Sequence, residues 1–233
     1  MDSLTHTTAL AFGLILAGDP VLWSIIGVSL SVSLRAIALA APFALAGAFA
    51  LAYLDVPARR LWITLSHTLM AVPAVVVGLL VYAMLSRSGP AGAWHLLFTP
   101  WAMVAGQILL CLPLLLGLGH AAFVSADRRA WESALTLGAG PARAMATVMH
   151  ECRHGLLAAL VAGFGRIIAE VGCSMMVGGN ILFHTRNMPT AIALETAKGN
   201  FAQGLALGLV LLFLALTLNA ALGWLQTRAD RPA

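Results

Sequence analysis

Residues 150 to 154 read His-Glu-Cys-Arg-His. Four positions apart on a continuous helix, His150 and His154 would present two imidazoles on one face with Glu151 beside them, as a metallopeptidase does to hold zinc and activate water. Such chemistry also requires a third ligand and a water-filled cleft. The carboxylate that follows, Glu170, stands about four turns further along a strongly apolar run, with Arg166 one turn before it. At this chain's His and Glu content the pattern arises by accident in roughly one such chain per few hundred, so the signal is weak. A zinc peptidase stands as the alternative reading, and no metal site is expected.

A second constellation, residues 164–180, reads FGRIIAEVGCSMMVGGN. It sets Arg166 and Glu170, followed by Gly172 and Ser174, inside an apolar run. Ionisable groups in such a run rarely face lipid and mark a functional position by default. Four residues apart, they can pair on one helical face. Two roles are open: a neutralised pair that packs this segment against its neighbours, or the lining or gate of a translocation path. A cation there suits an anionic cargo, and partial neutralisation by Glu170 would keep the anion from being trapped.

The elements that must position these groups are membrane spans. With 61% apolar and 9% charged residues in 233, and a mean hydropathy of +0.93, the chain lies outside the composition of soluble domains. Runs long enough to cross a bilayer, which takes about 20 helical residues, occupy 21–54, 61–85, 98–124, 155–181 and 201–225. An all-α polytopic bundle of five spans is expected. Residues 8–17 are apolar but only half a membrane long, and Asp2 with no Lys or Arg ahead of it gives no basic n-region of a signal peptide. Residues 1–20 are read as an interfacial segment.

Arg59, Arg60, Arg128, Arg129, Arg143, Arg153, Arg228 and Arg231 fall in one set of loops, and only Arg87, Arg186 and Lys198 in the other. By the positive-inside rule the N-terminus is outside and the C-terminus inside. Five of the six Trp lie near span ends, as an aromatic belt would place them. The basic residues flank the membrane and form no stripe interleaved with aromatics, so nucleic acid is not an expected partner. Cys111, Cys152 and Cys173 are odd in number and widely spaced, which suggests neither disulfides nor a Cys zinc site. No internal repeat divides the chain, and 1–233 is read as one transmembrane domain. It carries no G-x-x-x-x-G-K-[ST], so ATP, if used, is bound by another chain.

The longest hydrophilic interruption, residues 126–154, is read as cytoplasmic. A short helix over 127–137, a break at Gly138-Ala139-Gly140-Pro141 and a second helix towards His154 make a helix-turn-helix. Connections between packed helices are usually 2–8 residues, so this one suits docking.

These residues carry a resemblance. Glu132-Ser133-Ala134, three residues, Gly138, nine more and Val148 resemble the E-A-A-x3-G-x9-I-x-L-P loop of the membrane subunits of type I ATP-binding-cassette (ABC) importers. The resemblance implies a coupling helix seated in a cleft of a cytoplasmic ATPase subunit, with Glu132, Ser133, Ala134, Gly138, Ala139 and Arg143 at the contact. Ser133 replaces Ala, and His150-Glu151 stands where the family has Leu-Pro. Tungstate-type members carry a Glu-x-Arg-x-Gly-Leu string like Glu151, Arg153, Gly155 and Leu156, which makes His150 and His154 side substitutions. Oxyanion permeases carry an Arg-x-x-x-Glu-x-Gly string like Arg166, Glu170 and Gly172. Residues 175–180 and 190–196 are similar to the tungstate branch.

On the outer side Gly178 and Gly179 let a helix end, while Asn180, Thr185, Arg186 and Thr190 offer donors to an oxyanion or to the protein that delivers it. The resemblance implies a homodimeric permease of a bacterial inner membrane. It also implies partner ABC ATPase subunits that bind the ATP, an extracytoplasmic oxyanion-binding protein, no cofactor in this chain and no catalysis by it. Tungstate is the expected cargo and molybdate the next. An ATP-independent carrier, which usually shows two repeated halves, fits less well.

Overall fold

The structure, a computed structural model, describes residues 13 and 16–229, side chains at 222 and 224–229 excepted. The stretch 8–17, read above as interfacial, lies largely outside the described residues. Ten α-helices follow: α1 (Pro20–Tyr53), α2 (Arg59–Met70), α3 (Ala74–Leu85), α4 (Pro100–Ser125), α5 (Arg128–Thr136), α6 (Pro141–Glu151), α7 (Arg153–Ile168), α8 (Gly172–Gly178), α9 (Met188–Ala197) and α10 (Phe201–Ala229). No strand occurs among the described residues.

Three helices, α1, α4 and residues 201–221 of α10, are long and apolar enough to cross a membrane. The expected continuous spans over 61–85 and 155–181 are instead jointed pairs. The axes of α2 and α3 meet at 98°, and those of α7 and α8 at 59°. Proline explains the first joint: Pro73 has no N–H to donate and disfavours helical backbone at Val72, so α2 stops and α3 restarts with Pro73 as its N-cap. Pro42 and Pro113, by contrast, lie within unbroken helices.

The centre of the bundle is the pair α1 and α4. Gly47 packs against Leu116, Gly119 against Leu45 and Ala48, and Phe49 against Phe123. The rising register shows that the two helices run parallel. The reverse register of α7 on α4, with Gly155 on Ala122, Gly163 on Leu115 and Ile167 beside Gln107, shows that α7 runs against them. Small residues allow these approaches, the usual device where lipid supplies no hydrophobic drive between helices. At 34 residues α1 is about 50 Å long, and its first fifteen residues extend past the start of α4. There Leu22, Ile25 and Ile26 pack with Phe164, Ile168, Met188 and Leu207.

Short α8 is wedged between α3 and α4. Cys173 rests on Gly78 and Gly106, and Gly172 rests on Val75. In α10 a Cβ at Gly204 would meet Thr196 Oγ1 at 3.3 Å, whereas one at Gly208 would meet nothing within 4 Å.

At the α9–α10 corner, Glu195 is 5% exposed and accepts from Lys198 Nζ at 2.9 Å and Asn200 Nδ2 at 2.8 Å. The Asn200 amide first, and the Lys198 ammonium with it, hold this carboxyl below its usual range.

Two outcomes follow. A Cβ at Gly172 would meet Val75 Cγ2 at 2.5 Å and Val75 N at 3.3 Å, so Gly172→Ala should destabilise the chain by about 1–3 kcal/mol, read as a lower thermal midpoint in detergent. Glu195 has a depressed folded pKa, so its stabilisation is present above about pH 4.3 and is lost as pH falls through the lower folded value. Glu195→Gln should therefore lower the midpoint at pH 7, and the gap from wild type should narrow as the pH falls below about 4.3.

Candidate functional site

The joints of the two bent helix pairs face each other. Val75, one residue inside α3, touches Gly172 at the start of α8. Inside a bilayer a helix break leaves N–H groups that no water can satisfy. At the second joint Glu170 supplies the acceptors: Oε1 takes the N–H of Cys173 at 3.0 Å, and Oε2 that of Ser174 at 3.1 Å. The carboxylate is 3% exposed and caps α8, where its charge also suits the positive end of the helix. The opposite side of the joint is closed by Gln107, whose Nε2 donates to the Ile167 carbonyl at 3.1 Å. Gln107 was not singled out in the sequence; an amide inside an apolar run was the available signal.

Arg166 and Glu170 therefore do not form the expected ion pair. The run turns out of helix after Ile168, so their i,i+4 register is lost. Arg166 is exposed and opens on a cavity of about 60 Å³ lined by Leu69, Met70, Val72, Leu110 and Leu114. It lies beside the α2–α3 joint with no hydrogen bond or ion pair among the described residues. The Ser174 hydroxyl is buried without a partner.

Beyond α8 the chain makes a tight turn. Gly179, at φ 68°, ends the helix, and Asn180 also adopts left-handed backbone at φ 52°. A side chain at Gly178 would press on Met103 Sδ at 2.9 Å. The hydroxyls read as donors to an anion are used inside this turn. Thr185 Oγ1 donates to the Gly178 carbonyl and accepts from the Ile181 N–H, and Thr190 completes a capping box with Asn187 at the start of α9. Both threonines are fully buried. Arg186 donates to the Asn180 carbonyl through Nε and Nη2 at 3.4 and 3.3 Å and is half-buried.

At the other end α5 and α6 form the anticipated helical hairpin. Asp127 caps α5 by accepting from the Arg129 N–H at 2.9 Å. The helix ends with Gly138 N–H on the Leu135 carbonyl and Ala139 N–H on the Ala134 carbonyl, both at 3.0 Å, with Gly138 at φ 83°. This is a Schellman turn, and Gly140 and Pro141 then start α6.

The hairpin has two sides. Trp131 and Ala134 are buried, with Trp131 edge-on to Phe49 at 5.3 Å and tilted against Tyr53 at 5.6 Å, and Ala134 packed near Ala144 and Val148. Tyr53 Oη also donates to the Phe123 carbonyl at 3.3 Å. Facing away are Glu132, Ser133, Arg143 and Leu137, the last 87% exposed. Among the described residues Glu132 meets only Arg128, at 3.6 Å across solvent, a contact worth under about 1 kcal/mol. It is free to engage a partner.

The opening motif straddles a helix end. Cys152, at φ −92° and ψ 17°, interrupts the run, so His150 and Glu151 close α6 whereas His154 belongs to α7. The premise of one continuous face fails, and the second helix stops three residues short of its expected end. The turn is made without proline: the Cys152 thiol donates to the Val148 carbonyl at 3.0 Å, and Arg153 Nη1 to that of His150 at 2.8 Å. Burial pushes this thiol up to about 11, which keeps it protonated at neutral pH. Gly155 then admits Ala122 at 2.9 Å from where a Cβ would stand, and Leu156 is buried. The Glu151-x-Arg153-x-Gly155-Leu156 string is the joinery between hairpin and bundle.

Comparison with known proteins supplies the family. No established family model matches the chain. It is 42% identical over 202 residues to a "probable anion ABC transporter permease protein" of Haloferax volcanii, covering 84% of this chain and 87% of that one. It is 37% identical over 226 residues to the tungstate uptake system permease protein TupB of Peptoclostridium acidaminophilum, covering 97% and 99%. Identity to the molybdenum transport permease ModB of Escherichia coli K12 is 28%, over 73% of this chain and 78% of that one. A crystal structure of an amino acid ABC transporter superposes with a TM-score of 0.66 at 16% identity, over 92% of this chain and 96% of its own, and shares the fold. The chain belongs to the ABC transporter permeases, in the family that includes the tungstate uptake permeases.

Proposed function

We propose that this chain is the permease subunit of an ABC importer for an oxyanion, tungstate first and molybdate next. The observation that carries the cargo is the likeness to a tungstate uptake permease along 97% of the chain. The chain has the parts of a conduit and works as one domain of five spans, with α1, α4 and α10 continuous and two jointed. The N-terminus is outside and the C-terminus inside a bacterial inner membrane, a reading supported by the basic residues gathered in the loops of one side; the parallel α1 and α4 and the opposed α7 fit alternating crossings. Two copies would line the path along their common axis.

ATP is bound and hydrolysed by separate cytoplasmic subunits that seat the α5–α6 hairpin, with Glu132, Ser133, Gly138, Ala139, Arg143 and the exposed Leu137 as the contact. When those subunits close, they move the hairpin. The movement passes through Trp131 to the ends of α1 and α4, and through the Cys152 turn to α7. The joints at Pro73 and Glu170 let α3 and α8 change angle while the long helices keep theirs. Arg166, an uncompensated cation beside both joints, offers a transient partner to a doubly charged tetrahedral anion. Binding weak enough for release is what conduction requires. A delivering protein outside would meet the turn that carries Asn180 and Arg186.

The peptidase reading is set aside because the helix on which its spacing depends ends at Cys152. The deciding experiment is tungstate-stimulated ATPase activity and uptake in vesicles holding this chain with its ATPase and binding-protein partners. Glu132→Ala should uncouple hydrolysis from uptake or lose the ATPase, while His150→Ala/His154→Ala should behave as wild type; the reverse pattern with stoichiometric zinc would sink the proposal. Arg166→Gln should cut uptake about tenfold or more while the assembled complex persists, as expected of a charged partner worth 1.4 kcal/mol or more. Unchanged uptake would leave Arg166 a packing residue.

A further inference from the structure

Arg35 sits sixteen residues into α1, a helix otherwise without charge from Pro20 to Tyr53. It is exposed, and its guanidinium lies 5.6 Å from the ring centroid of Trp101, one residue inside α4. Among the described residues it has no carboxylate and no hydrogen-bond acceptor. Five N–H donors on the outside of a membrane helix are costly unless they reach water or a counter-charge.

Directly beneath this cation lies an open groove of about 470 Å³, lined by Leu39, Leu96, Trp101, Val104, Ala105 and Ile108. Leu39 is one turn below Arg35 on α1, and Val104 and Ile108 continue the line down α4. The groove therefore runs along the helices from the cation towards the middle of the membrane. A cation at the level where α4 begins, an indole beside it and an apolar channel leading inward match an amphiphile with an anionic head and a straight apolar tail.

We propose that Arg35, Trp101 and this groove bind one anionic phospholipid, its phosphate on the guanidinium and one acyl chain along Leu39, Val104, Ala105 and Ile108. Charge complementarity selects the occupant: the groove alone would accept any lipid, and Arg35 requires an anion. A guanidinium holds a phosphate by charge-assisted, bidentate hydrogen bonds, and Trp at the interface fixes the headgroup level. Trp101 also holds the guanidinium against the helix surface by a cation–π contact. The site is separate from the joints and from Arg166, and it does not depend on which anion the chain transports.

The test is native mass spectrometry of the full-length chain released from detergent with either phosphatidylglycerol or phosphatidylcholine, alongside its thermal midpoint with each lipid. Wild type should retain one phosphatidylglycerol in preference to phosphatidylcholine and be stabilised by it. Arg35→Gln should weaken that retention roughly fivefold, the effect of one basic residue at an anionic headgroup, and Arg35→Lys should keep most of it. Equal retention of both lipids by wild type, or retention by Arg35→Gln equal to wild type, would overturn the proposal. Displacement of the lipid by millimolar tungstate would also overturn it and make Arg35 part of the anion path, as would a second copy of the chain filling the groove. If Arg35→Gln does not fold, lipid preference in wild type and Arg35→Lys still decides.

Discussion

Every backbone N–H and carbonyl inside a bilayer has to find its partner within the protein, and the rest of this structure is arranged around that constraint. Three helices meet it by continuing without a break. The pairs α2–α3 and α7–α8 are each interrupted, and each interruption is sealed by a particular group. At one joint proline removes a donor. At the other the Glu170 carboxylate receives two donors, and the Gln107 amide reaches across from α4 to an end carbonyl. A carboxylate committed to capping is not available to neutralise Arg166, and this commitment leaves an unpaired cation beside the joints.

The same economy governs the hairpin. Its inward face is bound to the bundle by aromatic packing and by the close approach of Gly155 to Ala122. Its outward face is left with an exposed leucine and a carboxylate in a weak contact. A segment so divided can be gripped from one side and transmit through the other. The rigid turn between α5 and α6, closed by two backbone hydrogen bonds, keeps the two faces in fixed relation.

Much of this was legible in the residues. Apolar run length gave the long helices α1, α4 and α10, and Gly138 with Pro141 gave the hairpin, because a left-handed helix end and a first-turn proline are local requirements. Pro73 was also visible, but a proline alone does not separate a bend from a break: Pro42 and Pro113 sit in unbroken helices, and Pro73 does not. The Arg166–Glu170 spacing misled for a related reason. Helical register is meaningful only while the helix lasts, and nothing local announced that it would stop at Ile168. The threonines of the turn after α8 misled because a hydroxyl reads as available until the fold shows which backbone groups it must satisfy. The role of Trp131 depends on Phe49, Tyr53 and Phe123, partners distant in sequence, and so was not legible at all.

Helix α8 has seven residues, too few to hold its shape by its own hydrogen bonds. Its form is borrowed from α3, through Cys173 on Gly78 and Gly172 on Val75, with no space between them for either to slide. In mechanical terms the two half-helices make one door leaf with a hinge at each corner, one at Pro73 and one at Glu170. Such a leaf swings as a unit or not at all: a tilt of α3 at Pro73 carries α8 with it, and the strain falls on the turn at Glu170.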